Sequence, residues 1–182
     1  LFSAGIRIRY AQGVQMNPRV TVLATLHVLQ GAEKRVGNVH DPMYVILLEK
    51  LMVSEGVDFI FEEASGLGPT IAEKLALERL PFGHYVDIDP ARNERMDFGI
   101  PANSSEPNMI GAPPSAAFAN WQILDVHAKR EDLWLQRIKQ RRFESALVIC
   151  GLVHLLSFSF RLQSANFSVQ AINYANWQRS QL

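Results

Sequence analysis

The apolar run Val57-Asp-Phe-Ile-Phe61 ends in two adjacent glutamates, Glu62 and Glu63, and this junction constrains the chain more than any other stretch. A short β-branched and aromatic run reads as a buried strand. A carboxylate buried at its end costs several kcal/mol unless a cation, a donor or a metal meets it. Candidate partners stand at other predicted strand ends: His27 follows residues 20–26, and His154 lies just past residues 146–150. Three predicted strands thus carry His, Glu-Glu and His at or just beyond their carboxyl ends. In an open α/β sheet that edge is where ligands bind.

Local signals set the elements around this junction. Residues 20–26 are β-branched and nearly continuous in apolarity, as suits a parallel strand covered on both faces. Residues 28–40 read as a loop. Asp41-Pro42 then gives an N-cap followed by proline at the first helical position. Tyr44, Leu47, Leu48, Leu51 and Met52 form the apolar stripe of that helix, and Gly56 supplies its left-handed stop. Strand–helix–strand is the natural reading of residues 20–62. A second helix starts near Pro69-Thr70, where Thr70 and Glu73 have capping-box spacing; Ile71, Leu75 and Leu80 face inward and Pro81 ends it. Residues 85–89 read as a short strand with acids at its far end.

From residue 90 to 114 the periodicity disappears among prolines and glycines, save one helical turn at 91–96. A loop of that length is usually either functional or disordered, and the functional reading makes it a lid over the site. Ser115 caps a long helix to about Arg142. With successive residues about 100° apart, Ala116, Ile123, Leu124, His127, Glu131, Trp134 and Ile138 share one face. His127 and Glu131 read either as a helix-edge pair with heads in water or as a pair pointing into the site. Arg137, Lys139, Arg141 and Arg142 read as the solvated helix end. Residues 146–150 form the fourth strand, ending at Gly151. Residues 152–164 continue as a helix with His154 in its first turn, Asn166 makes a turn, and residues 167–172 form the last strand. Residues 173–182 give no functional signal.

Charge and cysteine usage narrow the function classes. Lys+Arg and Asp+Glu balance at 18 each, so no global attraction to nucleic acid or an anionic membrane is implied. No apolar stretch is long enough to span a bilayer. The single cysteine, Cys150, excludes an intrachain disulfide, reads as a small core residue, and fits a reducing, cytoplasmic compartment. One α/β domain is expected over residues 16–182, with a largely parallel sheet of about five strands flanked by helices. Residues 1–15 read as an extension upstream of Met16 or as an edge strand in which Ile6, Ile8 and Tyr10 alternate; they lack the form of a signal peptide.

Imidazoles with carboxylates suit a borderline divalent ion such as Zn, Mn, Co or Fe. His27, one of the two glutamates and His154 could share it, with the other glutamate as base or orienter. The dipole of a helix N-terminus would keep His154 neutral. A metal-free version has His27 as base, Glu62 or Glu63 setting its tautomer, and Arg130 binding substrate charge. His40 and His84 lie in predicted loops and read as surface residues. Ser65 lacks the glycine two residues before it that a nucleophile elbow requires. Gly151-Leu-Val-His154 lacks the lysine and further glycines of a phosphate loop.

Taken together these residues resemble a known group. Ala24-Thr-Leu-His27 resembles the Gly-x-x-His motif of the TraB/pheromone-shutdown and Tiki proteins, relatives of the erythromycin esterase and ChaN-like proteins, with Ala24 in place of the glycine. Phe61-Glu62-Glu63 resembles their second-strand acidic motif. Arg130-Glu131, followed by Trp134 and Ile138, is similar to their helical Arg-Glu/Asp signature, and Gly151-Leu-Val-His154-Leu to their late Gly-x-x-His-Leu. The set spans about residues 20–172. The resemblance implies an erythromycin esterase/ChaN-like α/β fold and hydrolytic chemistry, metal-dependent in the Tiki branch, on an amide or ester of a peptide or small molecule. It carries over His27, Glu62 or Glu63, Glu131 and His154 as site residues, with Arg130 as partner of an acid. Haem, linked to ChaN-like relatives, makes a non-catalytic binding module the rival.

Overall fold

The apolar runs pair side by side as five parallel strands: β1 (Arg19–Thr25), β2 (Phe59–Glu62), β3 (Tyr85–Asp87), β4 (Ser145–Gly151) and β5 (Ser168–Asn173). Their order across the sheet is β3-β2-β4-β1-β5. The computed structural model describes residues 17–31, 41–64, 68–100 and 116–181. Residues 1–15 and the greater part of the expected lid, 101–114, therefore lie outside the described residues, as does His40. Among the described residues no helix is long and apolar enough to cross a membrane.

The helices form where local chemistry starts and stops them. In α2 (Pro42–Ser54) the Asp41 side chain accepts from the Met43 N–H at 2.9 Å, and all five residues of the expected stripe are buried. Gly56 closes it at φ 58°, in the left-handed region that glycine adopts without strain. In α3 (Ile71–Arg79) both halves of the Thr70/Glu73 capping box form. The long α5 (Ala116–Lys139) is followed by β4, a 3-10 turn at Leu152–His154, and α6 (Leu155–Ser164). The helical turn expected at 91–96 is the short α4 (Arg92–Asp97).

Sheet order then decides which helix covers which face. From β1 the chain moves to β2 and β3 in one direction along the sheet, then reverses to β4 and β5. Crossovers between parallel strands keep one hand, so a reversal sends the later helices to the opposite face. The two cores agree. One joins Leu23, Ile60, Leu147 and Ile149 to Tyr44, Leu47, Leu48 and Leu75 of α2 and α3. The other joins Val20, Val22, Phe59, Phe61, Val148 and Cys150 to Trp134, Ile138, Phe158 and Leu162 of α5 and α6. Cys150 is fully buried, as expected, and burial pushes its thiol pKa up.

The tail folds as α7 (Tyr174–Arg179), which starts on an Asn173 cap, and Tyr174 donates to Asp41 Oδ2 at 2.6 Å. One expectation fails here: Arg137 is not a solvated helix end, because its Nη1 donates to the carbonyls of Ile88 and Asp89 at 3.1 Å each and its Nη2 pairs with Glu94. A helix-end cation facing the free carbonyls of a strand end finds acceptors that sequence spacing does not reveal.

Candidate functional site

Adjacent residues of a strand point to opposite faces, so Glu62 and Glu63 cannot serve one site in the same way. Phe59 and Phe61 face α5 and α6, whereas Ile60 faces α2 and α3. Glu62 therefore falls on the α2/α3 side and is fully buried there. Its Oε1 accepts from Gln30 Nε2 at 3.1 Å, and its Oε2 from the Thr70 hydroxyl at 2.5 Å and the Tyr85 hydroxyl at 2.9 Å. Burial raises its pKa from 4.5 to about 7, against the lowering effect of those hydrogen bonds.

Glu63, one residue beyond the strand, turns to the other side. Its N–H still donates to the Ile149 carbonyl at 2.9 Å, so the backbone is held in the ladder. Arg130 Nη2 lies 2.5 Å from Oε1, and the Gly151 N–H donates to Oε2 at 2.8 Å. Arg130 also donates to Asp89 Oδ1 from Nε at 3.0 Å and from Nη2 at 2.7 Å, and its guanidinium lies over the Trp134 ring. Asp89 is shared with buried Arg95, so two carboxylates and two guanidiniums balance. Burial works against the Arg130 charge, but the carboxylates of Glu63 and Asp89 outweigh it and raise its pKa.

Both imidazoles meet Glu63. His27 opens the short helix α1 (His27–Gln30); its Nδ1 lies 2.7 Å from the Gln30 side-chain amide, at hydrogen-bond distance, and its Nε2 lies 3.7 Å from Glu63 Oε1. Its side chain is 48% exposed. His154 is 1% exposed; its Nδ1–H donates to Glu131 Oε1 at 2.8 Å and its Nε2 lies 3.8 Å from the same Glu63 oxygen. Trp134 packs edge-on against the His154 ring, and the His127 ring lies 4.6 Å from it, centroid to centroid. Glu131 is held in turn by the Ser157 hydroxyl at 2.6 Å and Arg161 Nε at 2.9 Å.

The meeting point lies at the reversal of the sheet. The chain leaves β1 toward one face and β4 toward the other, and these two strands are neighbours, paired as far as Thr25 and Gly151. Such a divergence opens the crevice where doubly wound sheets bind ligands. Gly151 fits there for want of a side chain: a Cβ would lie 3.2 Å from His27 Nε2 and 3.5 Å from Glu63 Oε2. Gly151→Ala is accordingly expected to press on the His27 ring and lower stability by about 1 kcal/mol, the low end for overpacking. A denaturant melt checks it, and an unchanged midpoint would show the ring free to move aside.

The structure thus brings together His27, Glu63, Arg130, Glu131 and His154, and puts Glu62 in a separate network on the other face. Glu131 is 1% exposed, so its water-facing reading fails. The side chains of Ala116, Ile123 and Leu124 lie outside those described. Two placements need correction. Arg130 does not present its charge for substrate, since two buried carboxylates engage it. His84 is half-buried rather than a surface residue: it stacks on Phe59 at 5.3 Å, and its Nδ1–H donates to the Asp58 carbonyl at 2.6 Å.

Sequence reading missed Gln30, Thr70, Tyr85, Asp89 and Arg95. Two left a signal: Asp89 as an acid at the far end of a predicted strand, and Gln30 three residues after His27 and so about one helical turn away. Thr70 was seen as a cap alone. Two imidazoles and a carboxylate are the donor types a divalent ion takes. Among the described residues, however, no group of three or more His, Cys, Asp or Glu is placed to hold one, and Arg130 already engages the oxygen that both rings face. No family model, curated protein or solved structure matches the chain.

Proposed function

We propose that this chain is a hydrolase acting on an amide or ester of a small molecule or peptide. One observation carries the reading: two imidazoles from different strand ends, each tethered through Nδ1, present Nε2 at 3.7 and 3.8 Å from one glutamate oxygen. The four motifs resembling those of the TraB and Tiki proteins support it, since their residues are the ones that meet.

His27 is the exposed member and the base that a substrate reaches. Its Nε2 takes the proton of a water whose oxygen adds to the carbonyl carbon. The imidazolium then faces the Glu63 carboxylate, and it returns the proton to the leaving oxygen or nitrogen as that bond breaks. Arg130 and the Gly151 N–H fix Glu63, so the carboxylate needs little reorganisation when charge appears on the ring. Buried His154, backed by Glu131, faces the same oxygen across 3.8 Å.

A divalent ion such as Mn, Zn, Co or Fe on His27, Glu63 and His154 would supply a more acidic water. The donors suit such an ion in type but are not placed for it, so no step above runs through one. The rival ligand-binding role, haem included, would fall on His27, the accessible ring.

The test pairs turnover with metal response. Chromogenic esters and peptide amides are offered to the parent and to His27→Ala, and turnover lost in the variant is the expected result. Melting temperatures are then read with Mn, Zn and Co on the parent, Glu63→Gln, His154→Ala and exposed Lys50→Ala. If an ion is used, the parent gains stability, about 2.7 kcal/mol at a hundredfold excess over Kd. Glu63→Gln and His154→Ala should lose that gain, and Lys50→Ala should keep it. A parent with turnover but no metal response leaves the metal-free route. A parent with no turnover on any substrate, but a Soret shift with haem that His27→Ala abolishes, replaces the hydrolase with the binding role.

A further inference from the structure

The hydrolase reading gives His27 a role but not a reason for its Nε2 to carry a lone pair. In a neutral imidazole one nitrogen is a donor and the other an acceptor, and the partner of Nδ1 selects which. That partner is the side-chain amide of Gln30, buried at the end of α1. Oxygen and nitrogen of an amide must be assigned from their neighbours. Here the neighbours decide.

On its far side the Gln30 amide faces two groups: Glu62 Oε1 at 3.1 Å and the Glu63 main-chain carbonyl at 3.3 Å. A carbonyl only accepts. Above about pH 7 the Glu62 carboxylate is ionised and can only accept, and its other oxygen is met by the Thr70 and Tyr85 hydroxyls. Turning the amide over would set its oxygen against both and leave a buried donor without a partner, a cost of about 1–3 kcal/mol. The NH2 group therefore points to Glu62 and Glu63, and the oxygen points to His27.

We infer that Gln30, oriented by Glu62 and the Glu63 carbonyl, is a positioning residue that fixes His27 in the Nδ1–H tautomer and leaves Nε2 free at the crevice. This rests on the hydrolase reading only for its purpose; the tautomer itself is a property of the resting protein. It also gives Glu62 a function from the opposite face of the sheet. That glutamate touches neither the crevice nor His27, and it acts through the amide alone.

The experiment reads the ring directly, by long-range proton–nitrogen correlation of His27 in nitrogen-labelled protein, recorded in alkaline buffer where the neutral ring is observed. His27→Ala supplies the assignment. The parent is expected to show Nδ1–H, and a parent in the Nε2–H form would overturn the inference whatever the variants do. Gln30→Met keeps length without an amide and is expected to give a mixture of tautomers. Gln30→Glu keeps an acceptor for Nδ1 while losing both donors, so it should retain Nδ1–H although less stable. Folded Gln30→Met with the parent's tautomer would also overturn it. If that variant does not fold, the parent and Gln30→Glu spectra still decide, since loss of Nδ1–H in Gln30→Glu contradicts the inference. Turnover of the chromogenic esters is followed separately. Nδ1–H without turnover would leave the tautomer assignment standing and remove only the hydrolase.

Discussion

Arg130→Ala is expected to lower the free energy of unfolding by about 3 kcal/mol, the low end for breaking a buried ion pair from one side. The guanidinium has an 11% exposed side chain and lies between Glu63 and Asp89, whose side chains are 4% and 2% exposed. Removing it leaves Glu63 with the Gly151 N–H as its remaining hydrogen-bond donor, while Asp89 keeps Arg95. The larger part of the loss therefore falls on Glu63. Two companions sharpen the result. Arg130→Lys keeps the charge but not the fork that reaches both acids, and should recover only part of the stability. Arg130→Ala combined with Glu63→Gln should recover most of it, because no unpaired charge stays buried at that position. Urea melts measure all three. A change below about 0.5 kcal/mol in the single variant, the range of exposed positions, would contradict the buried pairing.

The second large effect concerns pH and Glu62. Burial raises this carboxyl from 4.5 to about 7, so between those values the folded chain holds a proton that the unfolded chain has released. Stability from this group is then fully present below about pH 4.5 and is lost as pH rises through about 7. At about 1.4 kcal/mol per pH unit the loss approaches 3 kcal/mol by pH 8. Glu62→Gln removes the titration while keeping an amide oxygen for the Thr70 and Tyr85 hydroxyls. The difference in stability between parent and variant should shift by about that amount between pH 4.5 and 8, with the parent losing ground as pH rises. Parallel curves over that range would mean that the three donors hold Glu62 ionised throughout. The two adjacent glutamates sit in different surroundings: Glu62 meets two hydroxyls and an amide, and Glu63 a guanidinium.

Much of this architecture was legible from local chemistry. Proline after Asp41, the Thr70/Glu73 spacing and Gly56 set helix ends through contacts within a few residues, so a short window of sequence contains both partners of each contact. The continuous apolarity of residues 20–26 and 146–150 marked strands covered on both faces, and both lie in the interior of the sheet, away from its edges. Placing His27, Glu63 and His154 at strand ends followed from the same runs. Where the sequence left a choice, as between Glu62 and Glu63, the alternation of a strand requires the two to diverge but does not say which side holds Arg130. That depends on the reversal of strand order, which puts α5 and α6 on the face opposite α2 and α3.

Other features had no local signature at all. Asp89 and Arg130 are 41 positions apart, and His154 and Glu131 are 23 apart on different elements. Their pairing depends on helix rotation and sheet register, which no spacing rule reports. Gln30 shows the boundary between the two kinds of information. Its distance from His27 is a property of one helical turn, readable in the sequence; the direction of its amide comes from two acceptors on β2 and just beyond it, which only the folded sheet brings within reach.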